Sequence, residues 1–241
     1  DSSLSRRSLD FIGTSNNEGI RGVTEVNGEF AFVGEEQLQY DGNTIGVVYI
    51  SNGSEVNKIA EIGEKSSKAK TRLVELTGYK NDYIYTVGWS NSTIETVSPN
   101  GTDALVAKYG LDGKLVWAKL FGANGDDIAW DIDVLPSGNL IVAGEQNGNP
   151  LLLELNQQGE VIADYGNELP ASSRLHSVEA IGGDRFAVAG ALTYDNDSSE
   201  GFVASLSRDL SVNPPKRIIS LPTDLTAKVG QIIEVPITIN Q

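Results

Sequence analysis

A single histidine, His176, and the complete absence of cysteine narrow the available chemistry at once. A two-histidine metal site and the HExxH signature both need a second imidazole, so neither can be built. Without a thiol there is no disulfide, no thiolate nucleophile and no cysteine-held metal. No G-x-S-x-G elbow occurs, and no glycine-rich loop runs into Lys-Ser or Lys-Thr to cradle phosphate. A Ser-His-Asp triad would have to recruit His176, which opens an apolar run where an ordinary edge residue is expected.

Carboxylate is what the chain has in quantity: 33 Asp and Glu against 18 Lys and Arg, a net charge of −15. Two carboxylates about 5–9 Å apart suffice to cleave a glycosidic bond. With so many acids some pair will fall in that range, and the sequence singles out none. The charge argues against a nucleic-acid backbone, which needs clustered cations to release counterions, and against an anionic membrane surface. It suits a secreted protein kept soluble by its acid. In TYDNDSSEG (193–201), Asp195, Asp197 and Ser199 alternate as in a calcium loop. The glycine comes one place late and position 12 is not Glu, so a solvated turn is expected. Gly125-Asp126-Asp127 reads likewise as Asp side chains bonding nearby backbone N–H groups. No metal and no cofactor is expected.

The elements that must position these groups are repeats. Four segments align: GVTEVNGEFAFVG ending at Gly34, LVELTGYKNDYIYTVG at Gly88, DIDVLPSGNLIVAG at Gly144 and SVEAIGGDRFAVAG at Gly190. Each reads as a hairpin with a turn glycine (Gly28, Gly78, Gly138, Gly183) between β-branched and aromatic runs. Each closing glycine suits a bulge or a close backbone approach. A second hairpin follows each copy. Its first strands are TIGVVYI (44–50), DALVAKY (103–109), PLLLELN (150–156) and GFVASLS (201–207), and its partner strands are VNKIAEIG, LVWAKLFG, VIADYG and KRIISL. The unit is thus a four-stranded antiparallel meander of about forty to fifty residues, the size of a propeller blade.

The strands are apolar on much of both faces, so each meander needs neighbours on either side. Radial packing supplies them, whereas a two-layer sandwich would show cleaner alternation. The expected fold is therefore all-β, a β-propeller of four complete blades plus one split or partial blade. An irregular sandwich pair is the structural alternative.

One unit carries a family likeness. Gly101, Asp103, Ala104, Val106, Ala107, Lys108, Gly113, Trp117, Gly125, Asp126, Asp127, Ser137, Gly138, Asn139 and Gly144 fit a pattern of G-x-D-A-(F/L)-V-(A/T)-K, L-x-W, G-D-D and S-G-N. That stretch resembles the bacterial repeat family named for seven-bladed β-propellers. The other copies keep the strand rhythm without the Gly-Asp-Asp element and the Trp. The resemblance implies an exported or surface-attached bacterial protein and no catalytic residues, because the motif is a folding motif. Trp117 is accordingly expected to cover a blade edge.

The ends divide the chain at 1–222, the propeller repeats, and 223–241. Asp1–Gly13 aligns with the late half of a blade, as a strand completing the ring would. PTDLTAKVGQIIEVPITINQ (222–241) resembles the opening strands of cohesin-like and bacterial Ig-like domains, which need about 100 residues. It also fits a hairpin closing a fifth blade. The absence of methionine fits a processed or excised product, a piece of a longer polypeptide.

These readings lead to a non-catalytic extracellular or cell-surface propeller module. It would act as a spacer or as a platform for a polysaccharide or protein ligand, beside neighbouring modules and without membrane insertion. The alternative is a carbohydrate-active enzyme, a glycoside hydrolase or lyase, with a carboxylate site at the propeller axis. Ligand contacts are expected where the inner strands begin. Aligning TRLVELTG (71–78) with LHSVEAIG (175–182) sets Arg72 opposite His176, with Arg21 and Trp130 at the same point of the other copies. Such side chains bind sugars and carboxylates by stacking and forked hydrogen bonds. Val23, Val74, Ile132 and Val178 are expected to be uniform blade-to-blade packing.

Overall fold

A computed structural model describes residues 17–38, 42–66, 68–122, 124–183, 185–194 and 198–207, together with the backbone of 217–219. The expectations for Asp1–Gly13, Asp195, Asp197 and 223–241 lie outside the described residues. The described chain is all-β, with one 3-10 turn at Gly166–Glu168 as its only helical element. The first meander comprises β1 (Glu18–Val26), β2 (Glu29–Gln37), β3 (Thr44–Ser51) and β4 (Val56–Ile62). The second comprises β5 (Thr71–Tyr79), β6 (Tyr83–Ser90), β7 (Gly101–Gly110) and β8 (Leu115–Phe121). The third comprises β9 (Gly125–Val134), β10 (Leu140–Gln146), β11 (Asn149–Leu155) and β12 (Val161–Asp164). The fourth comprises β13 (Ser173–Gly182), β14 (Arg185–Thr193), β15 (Ser199–Ser207) and β16 (Arg217–Ile219). Within each meander, neighbours in sequence are neighbours in the sheet.

Two compact units contain these strands. Described residues up to Pro99 form the first unit together with Leu105–Leu120; Asn100–Ala104 and residues from Phe121 onward form the second. In the first unit Val33, Val48, Leu73, Ile84, Leu105 and Tyr109 share one core. In the second Ile141, Leu152, Leu175, Phe186 and Val188 share another. Successive meanders are also stitched at their strand starts. Thr44 of β3 makes a parallel bridge to Lys70, while Gly101 and Thr102 of β7 pair in parallel with Gly125 and Asp126 of β9.

Tight turns set the register. At Asn27-Gly28 and Asn147-Gly148 both residues have positive φ, the conformation that matches strand twist in a two-residue hairpin. Gly138 and Gly183 also sit in turns, as expected. Gly78 does not. It lies within β5 opposite Ile84, close to the Val26 side chain, and Lys80 and Asn81 make the turn instead.

All four closing glycines occupy one structural position. In each inner hairpin the first strand carries an extra, unpaired residue: Arg21, Val74, Trp130 and His176. The bulge pushes the carbonyl two residues earlier towards the second strand. A Cβ at Gly34, Gly88, Gly144 or Gly190 would strike the carbonyl oxygen of Gly19, Arg72, Ile128 or Arg174 respectively. Only glycine fits there.

Trp117 is half-buried, its ring 6.1 Å from that of Tyr85. Lys108 of the motif is buried with its ammonium 3.9 Å from the Tyr83 ring centre and 5.1 Å from that of Tyr85. Burial pushes its amine below the ordinary lysine range. Two aromatic faces stabilise this cation.

Candidate functional site

The bulge corrects the alignment of the inner strands. Leu73 pairs with Gly88 as Leu175 pairs with Gly190, so Val74, not Arg72, is the equivalent of Arg21, Trp130 and His176. Arg72 belongs to a different row, the residue paired with the one after each closing glycine: Gly19↔Glu35, Arg72↔Trp89, Ile128↔Glu145 and Arg174↔Ala191. The packing row shifts too. Leu76, Ile132 and Val178 are buried, while Val23 is exposed.

In the first unit the structure brings Arg21 and Arg72 together on one carboxylate. Arg21 donates from Nε to Glu35 Oε2 at 2.6 Å and from Nη2 to Oε1 at 2.5 Å. Its guanidinium pKa is raised, chiefly by that hydrogen bond. Arg72 Nη2 lies 3.3 Å from the same Oε1, with its guanidinium 5.3 Å from the Trp89 ring centre. In the second unit Trp130 and His176 meet, with ring centroids 6.3 Å apart and planes tilted by 51°. The four expected residues thus form two pairs, one in each unit.

Beside the Trp130–His176 pair, β9 grips β13 through carboxylates. Asp131 Oδ2 accepts from Ser177 Oγ and from the Val178 amide, both at 2.8 Å, and Asp133 Oδ2 accepts from the Ala180 amide at 2.8 Å. Burial pushes the Asp131 carboxyl up, and these hydrogen bonds work in the opposite direction. Glu154 is fully buried and accepts from Asn139 Nδ2 at 2.6 Å and from the Tyr165 hydroxyl at 2.9 Å. The Asn of the S-G-N element therefore serves a buried acid.

The second unit also holds two buried carboxylates side by side. Asp103, near the start of β7, and Asp127, near the start of β9, approach because those strand starts pair in parallel. Both face Gly122, which is itself exposed. A Cβ placed on Gly122 would collide with Asp127 Oδ2 and lie 2.8 Å from Asp103 Oδ1. The missing side chain lets the backbone at Gly122 pass close against both carboxylates, with no room for even a methyl group. Asp103 Oδ1 is buried without a hydrogen-bond partner. Burial first, and the Asp127 charge as a lesser contribution, push the Asp103 carboxyl above its ordinary value, against a backbone hydrogen bond from Asn100. Sequence reasoning read both residues as folding motif; their convergence needed the parallel contact between strands far apart in sequence. Among the described residues no group of three or more acids and histidine is arranged to hold a metal ion.

No family model matches the chain, and no curated protein does. Solved structures do. An exo-1,5-alpha-L-arabinanase from a bovine ruminal metagenomic library matches with 8% identity and a TM-score of 0.44, over 88% of this chain and 77% of that one. Trypanosoma rangeli sialidase in complex with sialic acid matches with 12% identity and a TM-score of 0.46, over 79% of this chain and 36% of that one. The expectation of a non-catalytic module, and of no enzyme, is corrected here: the arabinanase and the sialidase are both enzymes. Likeness at this level concerns the fold, so the choice of site rests on geometry alone.

Proposed function

We propose that the chain is a carbohydrate-active enzyme on a β-propeller scaffold, with Asp103 and Asp127 as its carboxylate pair. The observation that carries this reading is the convergence of two buried carboxylates on Gly122, the Asp103 carboxyl being raised above its ordinary range chiefly by burial. An oxygen of each carboxylate reaches the same point, so the two are close neighbours, the kind of pairing that retaining glycosidases use. Protonated Asp103 gives its proton to the glycosidic oxygen as the bond breaks, and Asp127 attacks the anomeric carbon from the other side. Water, deprotonated by Asp103, then releases the sugar and restores both groups. The four meanders act as blades, with a split or partial blade completing the count, in an exported or cell-surface protein whose ligand is a polysaccharide.

The test is product release from arabinan, sialyl-oligosaccharides and related polysaccharides. Asp103→Asn and Asp127→Asn should each lower turnover by at least a hundredfold with unchanged circular dichroism. Gly122→Ala should do the same by forcing the two carboxylates out of their present positions. Cleavage that survives in both Asn variants would remove the dyad from the chemistry.

A further inference from the structure

The two units repeat one ion pair, and the first unit adds a charge to it. Glu35 and Glu145 each follow a closing glycine, and each meets an arginine on the first strand of the next meander. Arg72 lies 3.3 Å from Glu35, and Arg174 Nε lies 2.9 Å from Glu145. In the second unit this tie is one carboxylate and one guanidinium, hence neutral. In the first unit Arg21 shares Glu35, so two guanidiniums face one carboxylate and a positive charge remains. The second copy shows that the tie forms without a third member. Arg21 is surplus to it.

The surplus charge is presented in a form that recognises a planar anion. Arg21 spends its Nε and one Nη2 hydrogen on Glu35, which leaves the Nη1/Nη2 edge of its fork unused among the described residues. Its side chain is 38% exposed and that of Arg72 34%, so both can be reached from solvent. Trp89 fixes the Arg72 guanidinium from its face, and the Arg72 Nε is buried without a partner. A forked guanidinium edge beside a second, held guanidinium matches the two oxygens of a carboxylate.

We infer that Arg21 and Arg72, with Trp89 behind them, form a site for a carboxylate-bearing ligand of the uronic-acid class. The site is independent of the Asp103–Asp127 dyad and stands whether or not the chain cleaves sugars. The experiment follows the Nε–Hε resonances of the arginines in the whole chain during titration with glucuronate, with glucose as the neutral isostere and with inorganic phosphate. Glucuronate should give saturable shifts at Arg21 and Arg72 and leave Arg174 unmoved, and glucose should give none. Arg21→Gln should weaken glucuronate at least tenfold. Arg21→Lys, which keeps the charge and loses the fork, should fall between, and Arg174→Gln should change nothing. Equal shifts with glucose, equal or tighter binding of phosphate, or unchanged affinity in Arg21→Gln would each overturn the assignment. The melting temperature of Arg21→Gln serves as the folding control. Should that variant unfold, Arg21→Lys against Arg174→Gln decides the question.

Discussion

Alanine at Gly144 tests the bulge that organises every inner hairpin. The new Cβ would strike the Ile128 carbonyl oxygen and lie 3.0 Å from both Ile128 C and Ala129 Cα. All three atoms are backbone, so no rotamer change relieves the clash and β9 must move away from β10. Overpacking a filled site costs about 1–3 kcal/mol. Ladder groups left unsatisfied in the buried centre of the sheet add about 1–3 kcal/mol. A loss of about 4 kcal/mol is therefore expected, which for a chain of this size lowers the melting temperature by roughly 8–16 °C. Gly148 is the control, because it has φ +77° with open space around it, so alanine there costs only the left-handed penalty of about 1–2 kcal/mol. Urea and thermal unfolding of both variants would measure the difference. If Gly144→Ala proved no worse than Gly148→Ala, the close approach would not be what fixes the glycine.

Asp103→Asn should gain stability relative to the native chain as pH rises above about 3.8, measured by urea unfolding across that range. The unfolded carboxyl ionises near 3.8 while the folded one holds its proton to higher pH, so native stability falls as pH rises through that window, and an amide has no such loss. Asp131→Ala should speed amide hydrogen exchange at Val178 selectively, leaving the Ala180 amide protected by Asp133. Asn139→Ala should cost about 1.5–3 kcal/mol in urea unfolding, since it strips a donor from the buried Glu154 carboxylate. Trp117→Ala should cost about 2 kcal/mol by the same measurement, below the full-burial figure because the ring is only half covered.

Strand order and the repeat were legible because alternation, turn glycines and spacing are local properties. TIGVVYI, DALVAKY and GFVASLS fall within the third strands of their meanders, and PLLLELN does so up to Leu155. The bulge was legible only as a closing glycine. An extra residue in one strand leaves no mark in a gapless alignment, and the second copy slipped by two positions because Gly78 was set against Gly182 while its hairpin turns two residues later, carrying Arg72 onto the wrong row. Lys80-Asn81 was missed as a turn because neither residue advertises positive φ as glycine does, and Gly78 drew the assignment instead. The Asp103–Asp127 pair and the Glu–Arg ties depend on contacts between consecutive meanders. No periodicity within one meander encodes those.

The Glu–Arg tie also has a rhythm of its own along the chain. Glutamate follows the closing glycine in the first and third meanders, and arginine takes the matching inner-strand position in the second and fourth. The corresponding places elsewhere hold Trp89 and Ile128 for one step, and Gly19 and Ala191 at the outermost positions. The pattern therefore has a period of two meanders, not one. In this row the unit of repetition is a pair of meanders joined by one electrostatic lock, Glu35 to Arg72 and then Glu145 to Arg174.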